Sequence, residues 1–172
     1  MEKILNILSP FFENPKKEFY IRELAKILKT NHTTVRNYLK KLEKENFLII
    51  SKTGLYPSYR LNLSKKTLNL KLFYNLEKLR KSNLIEGLEK YYDFPVIVLF
   101  GSYSKATDDK ESDIDICIIS KIKKEFNVKD YEKKLNREIS LHHFEDIKGA
   151  KNKGLINSIC NGIVLSGDLE VF

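Results

Sequence analysis

The sequence predicts an α+β protein built from two unlike parts. Residues 2–63 read as three short amphipathic helices followed by an apolar hairpin. Residues 95–165 instead alternate apolar strands with short helical stretches. The charge is also unevenly shared. Residues 1–63 carry 12 Lys/Arg against 6 Asp/Glu, whereas residues 64–172 carry 19 against 17. The expected organisation is therefore a basic domain at 1–63, a helical connector at 64–94 and a small mixed-sheet domain at 95–172.

With 42% hydrophobic and 31% charged residues, the 172-residue chain has the balance of a folded protein, not a disordered one. No apolar run approaches the roughly 20 residues that would cross a bilayer, so no membrane partner is expected. The opening MEKILNILSPFFENP carries acidic residues and no small-residue cleavage site. It reads as an amphipathic helix, not as a signal peptide. Cys117 and Cys160 lie far apart in the chain with no CxxC spacing. They read as two reduced thiols, which with the preceding points suggests a cytoplasmic location. The basic first part suggests a polyanion partner, although a lysine-rich composition would produce the same excess.

Within 2–13, Ile4, Leu5, Ile7, Leu8, Phe11 and Phe12 have helical spacing, and Asn14-Pro15 ends that helix. Two further stripes follow, Leu24/Ala25/Ile27/Leu28 and Val35/Tyr38/Leu39/Leu42. The break between them contains Thr30 and Asn31, either of which can cap the next helix. Residues 47–50 and 59–63 read as two strands joined through Gly54 and Pro57. Leu72, Phe73, Leu76 and Leu79 line one face of a helix at 66–92, which Ser82-Asn83 divides. Beyond Pro95, strands are expected at 96–100, 113–119, 138–144 and 163–165. Helices are expected at 128–136 and 146–161, with no internal repeat.

In element order and spacing, residues 18–63 resemble a winged helix-turn-helix. In that family the second helix of the pair enters the major groove of duplex DNA and presents polar side chains to base edges. The corresponding helix here, NHTTVRNYLKKLEKEN, would turn Val35, Leu39 and Leu42 inward and His32, Thr33, Arg36, Asn37 and Lys40 outward. Arg36 and Asn37 suit bidentate contacts with guanine and adenine. Lys40, Lys41, Lys44 and the wing residue Lys52 suit phosphates. A homodimer is the usual state of such readers. The alternative is a solvated basic face used for protein contacts.

The stretch VIVLFGSYSKATDDKESDIDICII holds an apolar strand, Gly-Ser, a short spacer and Ser-Asp-x-Asp entering a second apolar strand. This pattern resembles the DNA polymerase β superfamily of nucleotidyltransferases, particularly its minimal members, over about residues 95–165. Alternation along a strand projects Asp113 and Asp115 from one face and Ile114, Ile116 and Ile118 from the other. Two carboxylates this close repel unless a cation lies between them, and Mg²⁺ pairs naturally with a nucleoside triphosphate such as ATP. Gly101 allows a sharp turn near phosphates, which Ser102 would hydrogen-bond. Ser112 belongs to the same nucleotide-binding set.

The resemblance also implies a basic residue at Lys105, for which a solvated lysine is the plain alternative. It further implies a third carboxylate, a metal ligand and general base, on a neighbouring strand. Glu138 is the candidate in NREISLHHF, with a salt bridge to Arg137 as its alternative. His142 shares the parity of Glu138, and His143 would point inward. Ala106 stands where members often have Gly, beside an acidic loop, Asp108-Asp109-Lys110-Glu111.

The implied activity is Mg²⁺-dependent transfer of a nucleoside monophosphate, AMP first among them, to a hydroxyl acceptor. Two rivals stand beside it. One is a non-enzymatic transcription regulator whose second domain senses nucleotide or mediates dimerisation. The other is an antitoxin whose acceptor is a small helical toxin.

Overall fold

In the computed structural model, which describes residues 2–147 and 152–170, the chain divides into two compact units, residues 1–71 and 72–172. The first opens with α1 (Glu2–Glu13), β1 (Phe19–Tyr20), α2 (Ile21–Ile27) and α3 (His32–Lys44). Two strands follow, β2 (Leu48–Ser51) and β3 (Ser58–Leu61). Phe11, Phe12, Phe19, Leu24, Val35, Leu39, Leu42 and Leu61 are buried, so the periodic apolar positions form the core. Phe11 and Phe19 meet edge to face, with ring centroids 4.9 Å apart. Asn31 caps α3, its side chain accepting from Thr34 N at 2.7 Å.

One expectation is corrected here. The sheet of this unit has three strands in the order β1-β3-β2, not two. Phe19 and Tyr20 pair antiparallel with Tyr59 and Ser58, and two residues are too few to show the alternation that marks a strand.

Helix α4 (Lys65–Ser82) runs through the division, and α5 (Leu84–Tyr91) follows Asn83, which takes a left-handed φ of 63°. Then come β4 (Val96–Phe100), the single turn α6 (Gly101–Ser104), β5 (Ile114–Ile119), α7 (Lys129–Leu135), β6 (Ile139–Phe144), α8 (Lys153–Cys160) and β7 (Ile163–Ser166). Residues 148–151, part of the helix expected at 146–161, lie outside the described residues. The sheet order is β6-β5-β4-β7, with β5 parallel to β6 and antiparallel to β4.

Both faces of this sheet are covered. Ile97, Leu99, Ile114, Ile116 and Ile118 pack with Leu79, Leu84, Ile85, Leu88 and Leu135 on one side. Val98, Phe100 and Cys117 pack with Ile159 of α8 on the other. Residues 84–92, expected as part of a connector, thus contribute Leu84, Ile85, Leu88 and Tyr92 to the core of the second unit. The helix face expected to bury Phe73 is also displaced. Phe73 is exposed, and the buried positions of α4 in this unit are Asn75, Leu79 and Ser82.

Cys117 is fully buried and Cys160 is exposed. Burial, with a smaller contribution from the neighbouring Cys160, pushes the Cys117 thiol up to about 12. In the folded protein a thiol reagent should therefore label Cys160 alone, with Cys117 becoming reactive only on unfolding. Mass spectrometry of native and denatured protein after alkylation checks this, and rapid native labelling of Cys117 would contradict the packing.

Candidate nucleotide site and candidate nucleic-acid interface

Strand β4 ends at Phe100, directly across from Asp115 in the antiparallel register. The chain then turns through Gly101 at φ +74°, a left-handed conformation that suits glycine. A Cβ at this position would collide with the Asp115 carboxylate, its Oδ2 first. Asp115 therefore occupies a cradle that only a residue without a side chain leaves open. Its other oxygen, Oδ1, lies 3.8 Å from His142 Nε2, and the His142 ring packs edge-on to Phe100. Burial pushes the Asp115 carboxyl above its ordinary range. His142 opposes that shift, and the adjacent Asp113 adds to it. Asp113 itself is exposed just before the first residue of β5.

The other expected residues fall around this pair. Ser102 is half-buried in α6, and among the described residues its hydroxyl has no partner; its carbonyl accepts from Lys105 N and Thr107 N. Lys105 is exposed at the end of α6. Ser112 is engaged in its own turn, its Oγ accepting from Asp109 N at 3.0 Å. Glu138 precedes β6 and is exposed, and among the described residues its carboxylate has no partner, Arg137 included. The β6 residue across from Asp115 is Ser140, and the side chain that reaches the aspartate is His142. His143 is exposed, in contrast to the inward position expected of it, and its ring lies 5.6 Å from that of Tyr92.

Among the described residues no three His, Cys, Asp or Glu side chains converge closely enough to hold a metal by themselves. The donor set nevertheless fits one cation type. Mg²⁺ is commonly held by one or two carboxylates together with substrate phosphates, not by an all-protein cage. Asp113 and Asp115, the latter's carboxyl raised first by burial and then by the adjacent Asp113, would supply that pair.

In the first unit, His32, Thr33, Arg36, Asn37 and Lys40 are all exposed on α3, opposite buried Val35, Leu39 and Leu42. A groove of about 1360 Å³ opens between α3 and the β2–β3 hairpin. Arg36, Lys40, Lys44, Lys52 and Arg22 line it, against the single carboxylate of Glu43. Among the described residues Arg36, Lys40 and Lys52 make no ion pair. Arg22 is a member that sequence reasoning missed. It sits at the start of α2, outside the helix that the motif singles out, and it faces Tyr56 across 5.9 Å.

A model of the family described as polymerase beta, nucleotidyltransferase matches residues 82–168, and a helix-turn-helix domain model matches residues 3–60. The chain belongs to this nucleotidyltransferase family. The nucleotidyltransferase domain thus follows an N-terminal helix-turn-helix domain. No curated protein matches the chain. Among solved structures, a "possible transcriptional regulator" from Methanosarcina mazei Go1 is 22% identical, with a TM-score of 0.37. The match covers 53% of this chain and 78% of that one. HmgR of Pseudomonas aeruginosa is 16% identical with a TM-score of 0.38, over 59% of this chain and 41% of its own.

The loop of the nucleotidyltransferase domain that joins Ser102 to Asp113 is held by a buried ion pair. Arg137 Nη2 lies 3.2 Å from Asp108 Oδ2, and both side chains are almost fully enclosed. Arg137 Nη1 donates to the carbonyls of Asp109 and Ser112, the latter at 3.0 Å. Asn75 Nδ2 donates to Asp108 Oδ1 at 2.9 Å and to the Tyr103 carbonyl at 3.1 Å. The guanidinium also lies over the Tyr103 ring, 5.4 Å from its centroid. Asp108 is therefore an internal anchor, while Lys110 and Glu111 of the same acidic loop are exposed. Ala106, beside it, adopts φ 55° and so takes the left-handed backbone for which glycine is the usual residue.

Removing one partner would leave the other charge buried. Arg137→Met should destabilise the protein by about 3–5 kcal/mol, and Asp108→Leu combined with Arg137→Met by much less than the sum of the single costs. Urea denaturation of the three variants measures this coupling, and additive losses would show that the pair acts independently.

Proposed function

We propose that the protein is a DNA-binding regulator whose nucleotidyltransferase domain binds a magnesium–nucleoside triphosphate at the turn between β4 and β5. The observation that carries this reading is the Asp115 carboxylate held against Gly101 with Asp113 beside it. Asp113 and Asp115 would hold the cation, which when bound neutralises charge on the triphosphate tail. Ser102 supplies a hydroxyl toward that tail, and Lys105 a positive charge close by. The Arg137–Asp108 pair supports this reading by anchoring the loop that joins Ser102 to Asp113.

A second reading is transfer of the nucleoside monophosphate. An acceptor hydroxyl would attack the α-phosphorus, the bond to the β-phosphate would break, and pyrophosphate would leave. The hydroxyl proton needs a base. Glu138 is the carboxylate candidate that the sequence pattern offers for that base, and it immediately precedes β6, the strand whose His142 lies 3.8 Å from Asp115.

In the helix-turn-helix domain, the exposed face of α3 would enter the major groove. Arg36 and Asn37 then meet base edges, while Lys40 and Lys52 meet phosphates.

Calorimetry with ATP in the presence and absence of Mg²⁺ tests the first reading. Asp113→Ala with Asp115→Ala should abolish the metal-dependent part of the affinity, and an unchanged affinity would refute the site. For transfer, labelled nucleotide incorporated into protein or RNA should fall by roughly 10²-fold in Glu138→Gln with nucleotide binding retained. Full incorporation would exclude Glu138 as the base.

The DNA contacts separate by salt. Lys40→Ala or Lys52→Ala should weaken binding to all duplexes and flatten the salt slope, because a lost phosphate contact releases fewer counterions. Arg36→Ala should cost about 1–3 kcal/mol at the preferred site and relax preference there. A salt-titrated binding assay on random and selected duplexes distinguishes them. Equal losses on every sequence in Arg36→Ala would remove the base-reading assignment.

A further inference from the structure

The hairpin that borders the basic groove ends in an apolar tip, which phosphate contacts do not explain. Residues 52–57 connect β2 to β3, and Leu55 at their centre is 90% exposed, more than any other large hydrophobic side chain described. Tyr56 beside it is 61% exposed. Neither contributes to the core of the unit. The tip is nonetheless braced, because the Arg22 guanidinium faces the Tyr56 ring at 5.9 Å.

Five cations and one carboxylate line the groove beneath the tip, so its occupant is a polyanion. The apolar surface of a duplex lies in the faces of its bases and the floor of its grooves. A leucine presented at the edge of a cationic groove therefore has an apolar target in such a partner at an opened base step, the other being a thymine methyl on the groove floor, whose contact would leave the duplex straight.

We propose that Leu55, backed by Tyr56, is a wedge that inserts at a base step of duplex DNA and kinks it. The inference rests on the DNA-binding reading above and adds deformation of the DNA to it. Apolar wedges of this type kink duplexes by about 20–90°. Specificity would then come partly from how easily a step opens, which favours flexible pyrimidine–purine steps.

The test uses the full chain and a duplex of about 30 base pairs selected from a random pool, with a fluorescent donor and acceptor at its ends. Wild-type protein should shorten the end-to-end distance on binding. Leu55→Ser with Tyr56→Ser, both at exposed positions, should bind at least about fivefold more weakly. The salt slope should stay unchanged, since no cation is removed, and the duplex should stay straight. Binding by wild type without shortening, or equal shortening by the variant, would overturn the wedge while leaving DNA binding intact. Absence of salt-dependent binding by wild type to any duplex would overturn the DNA-binding reading itself. Sedimentation showing that the two substitutions convert a dimer to a monomer would identify the tip as a contact between copies instead, and would overturn the wedge.

Discussion

Strand β5 is covered on both faces for nearly all its length, and the site follows from where that cover stops. Ile114, Ile116 and Ile118 face one helical layer, and Cys117 faces the other. A charged side chain in the middle of such a strand would carry a large desolvation cost. The carboxylates are confined to its beginning, where the neighbouring strand β4 has just ended and the chain has turned away at Gly101. Because Gly101 contributes no Cβ, Asp115 keeps partial access to solvent while its backbone stays in the ladder. The end of β4, the glycine turn and the aspartate pair are thus one geometric unit.

That unit needs its loop held still, and the chain does this with charge in a place where charge is expensive. Replacing a buried ion pair with apolar groups is often neutral for stability, so stability alone is a weak reason for Arg137 and Asp108 to be there. Their contacts point to geometry. One guanidinium binds the Asp108 carboxylate and the carbonyls of Asp109 and Ser112, which fixes the backbone immediately before Asp113. The next residue after Arg137 supplies the carbonyl that receives Ile114 N at 2.9 Å. The start of the β5–β6 pairing and the position of the first aspartate therefore share an anchor.

The helix-turn-helix domain divides its surface differently. Apolar positions of α3 are spent on the core, which leaves Arg36, Asn37 and Lys40 unencumbered on the outer face. The hairpin adds Lys52 from a second element, and α2 adds Arg22 from a third. Cations from three elements converge on one groove, which is why the excess charge of residues 1–63 has a direction as well as a size.

Periodicity in the sequence was enough to locate most elements, because a helix repeats its buried positions every three to four residues and a strand every two. The Gly-Ser and Asp-x-Asp pattern, the inward isoleucines and the outward face of α3 were legible for that reason. What escaped were features without a local repeat. The two-residue strand β1 is too short for a pattern. The buried face of α4 carries Asn75, whose burial depends on its partners Tyr103 and Asp108. Asp108 and Arg137 each sit among charged neighbours in the chain, and only folding brings them together in a dry interior. The sequence by itself located most of the elements, the Gly-Ser and Asp-x-Asp pattern and the exposed basic face of α3. Tertiary structure alone decided that Ser140 stands across from Asp115 and that His142 reaches it. Register between strands is set by long-range packing, which no run of consecutive residues records.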